Sequence, residues 1–328
     1  MYTPDSSTIA LLLIVVSMLC WGSWPNLLKA LPGWRLEYFY IDYTIGFLLA
    51  MLVAGATAGS AGVVGFDFLD RLLAAGSRES TLAVAGGLLW NIGNIFLLNA
   101  IMIAGLAVAF PIASVLAITL GVGISYWANP IGNPAWLIAG SIVLVAAACI
   151  NAQAYRELGA SSASKKRTLG IALALVAGVL VGIFPPFVGG AISGEHALDP
   201  YVATILFMLG ASIATIVGIP LLLKKPFIGE VASLKGYTEG PPRAHLFGWL
   251  AGAIWCIGTF SNFLSAGLVG VAISWGIGSG APMVGALWGI LLWKEFDGAS
   301  RRAWLLIATS LALYAGGVVL VAIAYQLR

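Results

Sequence analysis

Charge is what this sequence has least of. Only 9% of its 328 residues are Asp, Glu, Lys or Arg, against roughly 25% in a soluble domain, whose surface must face water. Histidine occurs twice, at His196 and His245, each expected in a loop or at a helix end. No HExxH, no aspartate-rich metal motif and no Ser/His/Asp grouping is present, which speaks against an enzyme. The three cysteines, Cys20, Cys149 and Cys256, sit in apolar stretches without CxxC or Cys/His spacing. They suggest neither a metal site nor a disulfide framework, and no cofactor is implied. A net charge of +3 gives no argument for a nucleic-acid partner.

What is there is apolar: 60% of the residues are hydrophobic and 41 are glycine. A membrane-spanning helix needs about 20 such residues. Ten candidate spans follow, at about 8–31, 38–58, 81–101, 104–127, 135–155, 168–190, 200–223, 245–266, 268–293 and 303–326. Their connections leave no room for a soluble domain. The first span is too long for a signal peptide and has no basic residue before it, so it is expected to be retained. The fold class expected is an all-α polytopic membrane protein.

The two halves echo each other. Gly22 and Pro25 form G-x-x-P, and so do Gly182 and Pro185, 160 positions on. Trp90 and Gly93 are matched by Trp255 and Gly258, and Ala107-Val108-Ala109 by Gly270-Val271-Ala272. Five spans per half would invert the second copy, an arrangement common in secondary transporters. The expected repeats are 1–158 and 159–328, together one transport domain. Three basic residues, Arg71, Arg78 and Arg328, fall on the face that holds the N-terminus. Thirteen fall on the other, among them Lys29, Arg35, Lys165, Lys224, Arg243 and Arg302. Cytoplasmic loops are the ones enriched in Lys and Arg. The basic loops are therefore expected in the cytoplasm and both termini outside.

Polar and aromatic residues recur at helical spacing. Ser17, Trp21 and Trp24 share a face, as do Trp255, Thr259 and Asn262, and Trp275, Ser279 and Pro282. Asn91 and Asn94 are neighbours one turn apart. Buried amides need partners in lipid, so these faces should point inward, either to bind a polar solute or to hold helices together. Ser23 lies within CWGSWPN, where Pro25 interrupts the first span. Further helix breaks are expected at Pro111, Pro185 and Pro282. Asp42, a turn into the second span, and Glu37 just before it are candidates for coupling to a proton or another cation. Asp42 could equally pair with Lys29 at the membrane boundary.

The segments CWGSWPNLLK (20–29), WRLEYFYIDYTIG (34–46), AGLAVAFPIA (104–113), GAIWCIGTFSN (252–262) and GAPMVGALWGILLWKEF (280–296) resemble the bacterial relatives of the plant ureide permeases. That family lies in the drug/metabolite transporter superfamily, beside the glucose/ribose uptake proteins. The resemblance implies two inverted five-helix repeats, a central site and alternating access in a cell (inner or plasma) membrane. The implied cargo is a small polar, mostly uncharged solute, a ureide such as allantoin or a nucleobase such as uracil, with proton symport. A sugar permease and an exporter of hydrophobic compounds are the alternatives. The oligomeric state is left open.

Overall fold

A computed structural model of the chain describes residues 1–60, 67–159 and 166–327. Lys165 and Arg328, both in the charge count above, lie outside them. Among the described residues ten helices are long and apolar enough to cross a membrane. They are α1 (Ser7–Lys29), α2 (Leu36–Ala56), α3 (Ser77–Ala104), α4 (Leu106–Ala128), α5 (Pro134–Glu157), α6 (Arg167–Ala191), α7 (Pro200–Lys224), α8 (Pro242–Val269), α9 (Val271–Leu291) and α10 (Arg301–Gln326). Each overlaps its expected span. Two short helices, Asp67–Leu73 and Leu234–Thr238, lie in connections. The protein is an all-α, multi-pass membrane protein, and its helices satisfy their own backbone hydrogen bonds where lipid offers none.

Local chemistry sets where the helices begin. The Asn133 side chain accepts from the amides of Ala135 and Trp136, and that of Asp199 from Tyr201 and Val202. Each precedes a proline at the first helical position, where the missing N–H costs nothing. Ser6 and Ser300 cap α1 and α10 in the same way. Two spans are interrupted. α1 consists of Ser7–Ser23 and Pro25–Lys29, and the Asn26 side-chain amide donates to the carbonyls of Gly22 and Ser23 at the junction. α9 consists of Val271–Gly278 and Ala281–Leu291, with Pro282 opening the second piece. At Pro111 and Pro185, where breaks were also expected, the helix instead runs on. A proline removes one ladder hydrogen bond, and inside a bundle the bonds on either side suffice to carry the helix through.

The chain divides into two compact units. The first holds Met1–Asn91 and Phe187–Val269, the second Ile92–Pro186 and Gly270–Arg328. Each therefore draws on both halves of the sequence. In the first unit α2 and α8 meet backbone to backbone. A Cβ added to Gly46 would overlap the Trp249 main chain, and one on Gly252 would overlap the Tyr43 carbonyl oxygen. Gly87 and Gly210 do the same where α3 crosses α7. In the second unit Gly140 and Gly317 bring α5 against α10, and Gly178 and Gly182 bring α6 against α4. Without a hydrophobic driving force between helices in lipid, such close van der Waals approach is a main source of association.

α3 and α8 are both 28 residues long. Each is followed by one glycine in the left-handed region, Gly105 at φ +83° and Gly270 at φ +88°, which serves as the N-cap of the next span. The conformation suits glycine because a Cβ there would clash with the backbone.

Candidate functional site

The interior of the first unit is aromatic. The rings of Trp90 and Trp255 stack at 4.3 Å with their planes 23° apart. Phe47, Tyr43 and Phe207 surround Trp255 at 5.2, 5.7 and 6.3 Å. Tyr43 in turn meets Trp24 at 4.7 Å. These separations are those of favourable aromatic pairs. Trp24, Trp255, Thr259 and Asn262 are buried, and Trp21 is half-buried with its indole N–H donating to Thr259 Oγ1 at 3.1 Å. The face read from Trp255, Thr259 and Asn262 thus points inward and meets that of Trp21 and Trp24. Ser23 is half-buried beside them in sequence. Two hydroxyls in this unit, Tyr43 Oη and Ser17 Oγ, are buried with no hydrogen-bond partner. An unsatisfied buried group costs about 1–3 kcal/mol.

Asn91 is fully buried and fully used. Its Nδ2 donates to the Ala211 carbonyl at 2.6 Å and to Thr215 Oγ1 at 2.8 Å, and its Oδ1 accepts from the Tyr40 hydroxyl at 2.8 Å. Thr44 Oγ1 joins Thr215 at 3.0 Å. α2, α3 and α7 are tied together at this one amide, which has no N–H left for a solute.

In the second unit the Trp275 indole N–H donates to the Ala117 carbonyl at 3.1 Å. Phe184 meets the same ring edge-on at 5.1 Å. Gly121 makes room for it: a Cβ there would overlap Trp275 Nε1. Ser279 donates to the Trp275 carbonyl one turn back, at 2.8 Å. Trp275, Ser279, Pro282 and Asn94 are all half-buried. Asn91 and Asn94, read together from the sequence, belong to different units.

Asp42 is paired with a histidine. Its carboxylate is fully buried, with His245 Nδ1 at 2.9 Å from Oδ2 and 3.1 Å from Oδ1. The Tyr237 hydroxyl donates to Oδ1 at 2.8 Å, and the Trp249 indole is hydrogen-bonded to the same group. Gly248 lets α8 come this close, since a Cβ there would overlap the Asp42 Cβ. Burial, then the hydrogen bond to Asp42 and its charge, push the Tyr237 phenol above its ordinary range. Glu37 is held differently, by Arg35 in two hydrogen bonds at 3.0 and 3.2 Å. Among the described residues no cluster of three or more His, Cys, Asp or Glu could hold a metal.

Tyr43, Phe207, His245 and Tyr237 were not singled out from the sequence, and Trp90 entered only as half of a repeat match. Phe39, Tyr43 and Phe47 recur every fourth residue, a stripe that marks an inward aromatic face. His245 and Tyr237 lie about 200 positions from Asp42, a separation that no local spacing betrays.

The family model for ureide permeases matches residues 159–324, half of the chain. Ureide permease 4 of Arabidopsis thaliana is 23% identical over 395 residues, with 97% of each chain covered. Ureide permease 2 of the same plant is 22% identical, again with 97% of each covered. A solved crystal structure of another protein matches with a TM-score of 0.66 at 17% identity, over 98% of this chain and all of that one, a likeness of fold. Those relatives are named permeases, not enzymes. With ten membrane helices, buried Trp and Asn faces and a family match over half its length, the chain belongs to the ureide permease family of membrane transporters.

Proposed function

We propose that the protein carries a small, flat, mostly uncharged solute, a ureide such as allantoin or a nucleobase such as uracil, across the cell membrane by alternating access with a proton as the coupled ion. The observation that carries this reading is the pair of buried, unpartnered hydroxyls, Tyr43 Oη and Ser17 Oγ, in a unit whose interior is lined by Trp24, Trp90 and Trp255. A planar amide stacks on indole faces and supplies both donors and acceptors for stray hydroxyls. The names of the Arabidopsis thaliana relatives support the same class of cargo.

In the first unit Trp21 and Ser23 keep exposed surface and are the proposed solute contacts. Trp24 and Trp255, more deeply buried, are the proposed stacking faces, with Thr259 and Asn262 on the same inward side. The matched 28-residue helices, each followed by a left-handed glycine, favour two repeats, 1–158 and 159–328, with the second inverted. The charge count favours basic loops in the cytoplasm and both termini outside.

Counterflow in proteoliposomes preloaded in turn with allantoin, uracil and glucose tests the cargo. Exchange of allantoin or uracil is expected. Exchange of glucose alone, or of none of the three, would overturn the assignment.

A further inference from the structure

We propose that Asp42, His245 and Tyr237 form the proton-binding site of the transport cycle, with His245 relaying the proton from water to the Asp42 carboxyl. This rests on the transport reading above and deepens it. Asp42 alone was a boundary acid with an ordinary explanation in a salt bridge. In the structure the carboxylate is fully buried and paired with an imidazole, charged only when protonated. An imidazole, unlike a lysine ammonium, can take a proton on one nitrogen and release one from the other.

The geometry defines a path. A carboxylate only accepts, so with Asp42 ionised the hydrogen on the 2.9 Å contact resides on His245 Nδ1. The imidazole is 20% exposed, and its Nε2 lies on the side of Gly240 and Trp34. Trp34 Nε1 is buried and has no hydrogen-bond partner. A proton from water forms the Nε2–H bond, the Nδ1–H bond breaks and the Asp42 O–H bond forms. The cluster passes from one negative charge to none, with no change in oxidation state. Tyr237, its phenol held protonated, remains a donor to the carboxyl in either state.

Several other ionisable groups on the elements packed here have partners of their own. On α2, Tyr38 donates to the Ser233 carbonyl and Arg35 pairs with Glu37. On the short helix, Lys235 pairs with Glu239. On α8, Arg243 lies over the Phe247 ring. α7, also packed on α2, carries ionisable side chains only at its ends, Tyr201 and Lys224. Tyr40 donates to Asn91, and the Tyr43 hydroxyl sits among aromatic rings. An ionised aspartate buried within a membrane helix is costly. Protonation removes that penalty, so the anionic cluster favours a state open to water and the neutral one tolerates occlusion. That difference is what coupling requires.

The test uses the full-length protein in proteoliposomes, with uracil and allantoin as probes and the membrane potential clamped. A gradient of one pH unit with one proton per solute drives accumulation to at most about tenfold. Wild type should accumulate solute. Asp42→Asn and His245→Gln should bring the accumulation ratio to about one, and any exchange that remains should lose its pH dependence. Infrared difference titration of the purified protein reads the site without any solute. A protonated-carboxyl band should titrate in wild type, be absent in Asp42→Asn, and move in midpoint in His245→Gln and Tyr237→Phe. Solute exchange combined with gradient-driven accumulation by Asp42→Asn overturns the proton site and leaves the transport reading standing. No exchange of either probe overturns the cargo, and the infrared titration then decides the proton site alone. If Asp42→Asn does not fold, a wild-type carboxyl band whose midpoint ignores both His245→Gln and Tyr237→Phe overturns it.

Discussion

Asn91→Ala separates holding a bundle together from holding a solute. The amide makes three hydrogen bonds, to Tyr40, Ala211 and Thr215, on two neighbouring helices. Interhelical hydrogen bonds in membrane proteins average about 0.6 kcal/mol each and reach about 1.7 kcal/mol. Three of them give about 2 kcal/mol, or roughly a thirtyfold change in the unfolding equilibrium at about 1.4 kcal/mol per decade. Reversible unfolding in mixed micelles measures that loss. A double-mutant cycle with Tyr40→Phe isolates one bond and should return a coupling near the average value, about 0.6 kcal/mol. For the folded fraction of Asn91→Ala, the KM for uracil should stay within about threefold of wild type, because no N–H of this residue is left to offer. A variant of wild-type stability that no longer recognises uracil would refute the reasoning and make Asn91 a solute ligand.

Tyr43→Phe removes a hydroxyl that has no protein partner, so stability should hold or rise. If that hydroxyl bonds the solute, KM should rise about tenfold, the equivalent of one hydrogen bond of about 1.4 kcal/mol; an unchanged KM removes Tyr43 from the site. Trp21→Ala should raise KM by about ten- to a hundredfold, since stacking a base on an aromatic ring is worth about 1–3 kcal/mol. Trp21→Phe, which keeps a ring and loses the Thr259 hydrogen bond, should fall between the two in the same uptake assay. Gly252→Ala places a methyl against the Tyr43 carbonyl and should lower the melting temperature in fluorescence-detected size exclusion more than Gly267→Ala, where no atom lies within 4 Å. Equal melting temperatures would show that α2 and α8 do not depend on this approach.

The ten spans were legible because crossing lipid demands a long apolar run, a signal that composition alone carries. The inward faces of Trp21, Trp24, Trp255 and Thr259 were legible for the same reason as any amphipathic stripe. The roles within those faces were not. Asn91 and Asn94 look alike in sequence, yet one is saturated by Tyr40, Ala211 and Thr215, partners that helical spacing within α3 does not reveal. Prolines 111 and 185 resemble Pro25 and Pro282 on paper. The difference lies beyond the residue type: Pro25 and Pro282 open new helical segments, whereas the other two sit inside continuous ones. Asp42 was visible as an acid out of place, but its histidine came from another helix 203 positions away.

The stacked indoles of Trp90 and Trp255 have an optical consequence. Two identical chromophores 4.3 Å apart do not absorb independently. Their transition dipoles mix, splitting the far-ultraviolet transition into a pair of circular dichroism bands of opposite sign. The first unit thus contains a label-free signal of its own integrity, set by the distance and tilt of two rings on α3 and α8. The couplet should disappear in either Trp→Phe variant while the helical signal stays. Anything that parts those two helices should register as a fading couplet in otherwise unmodified protein.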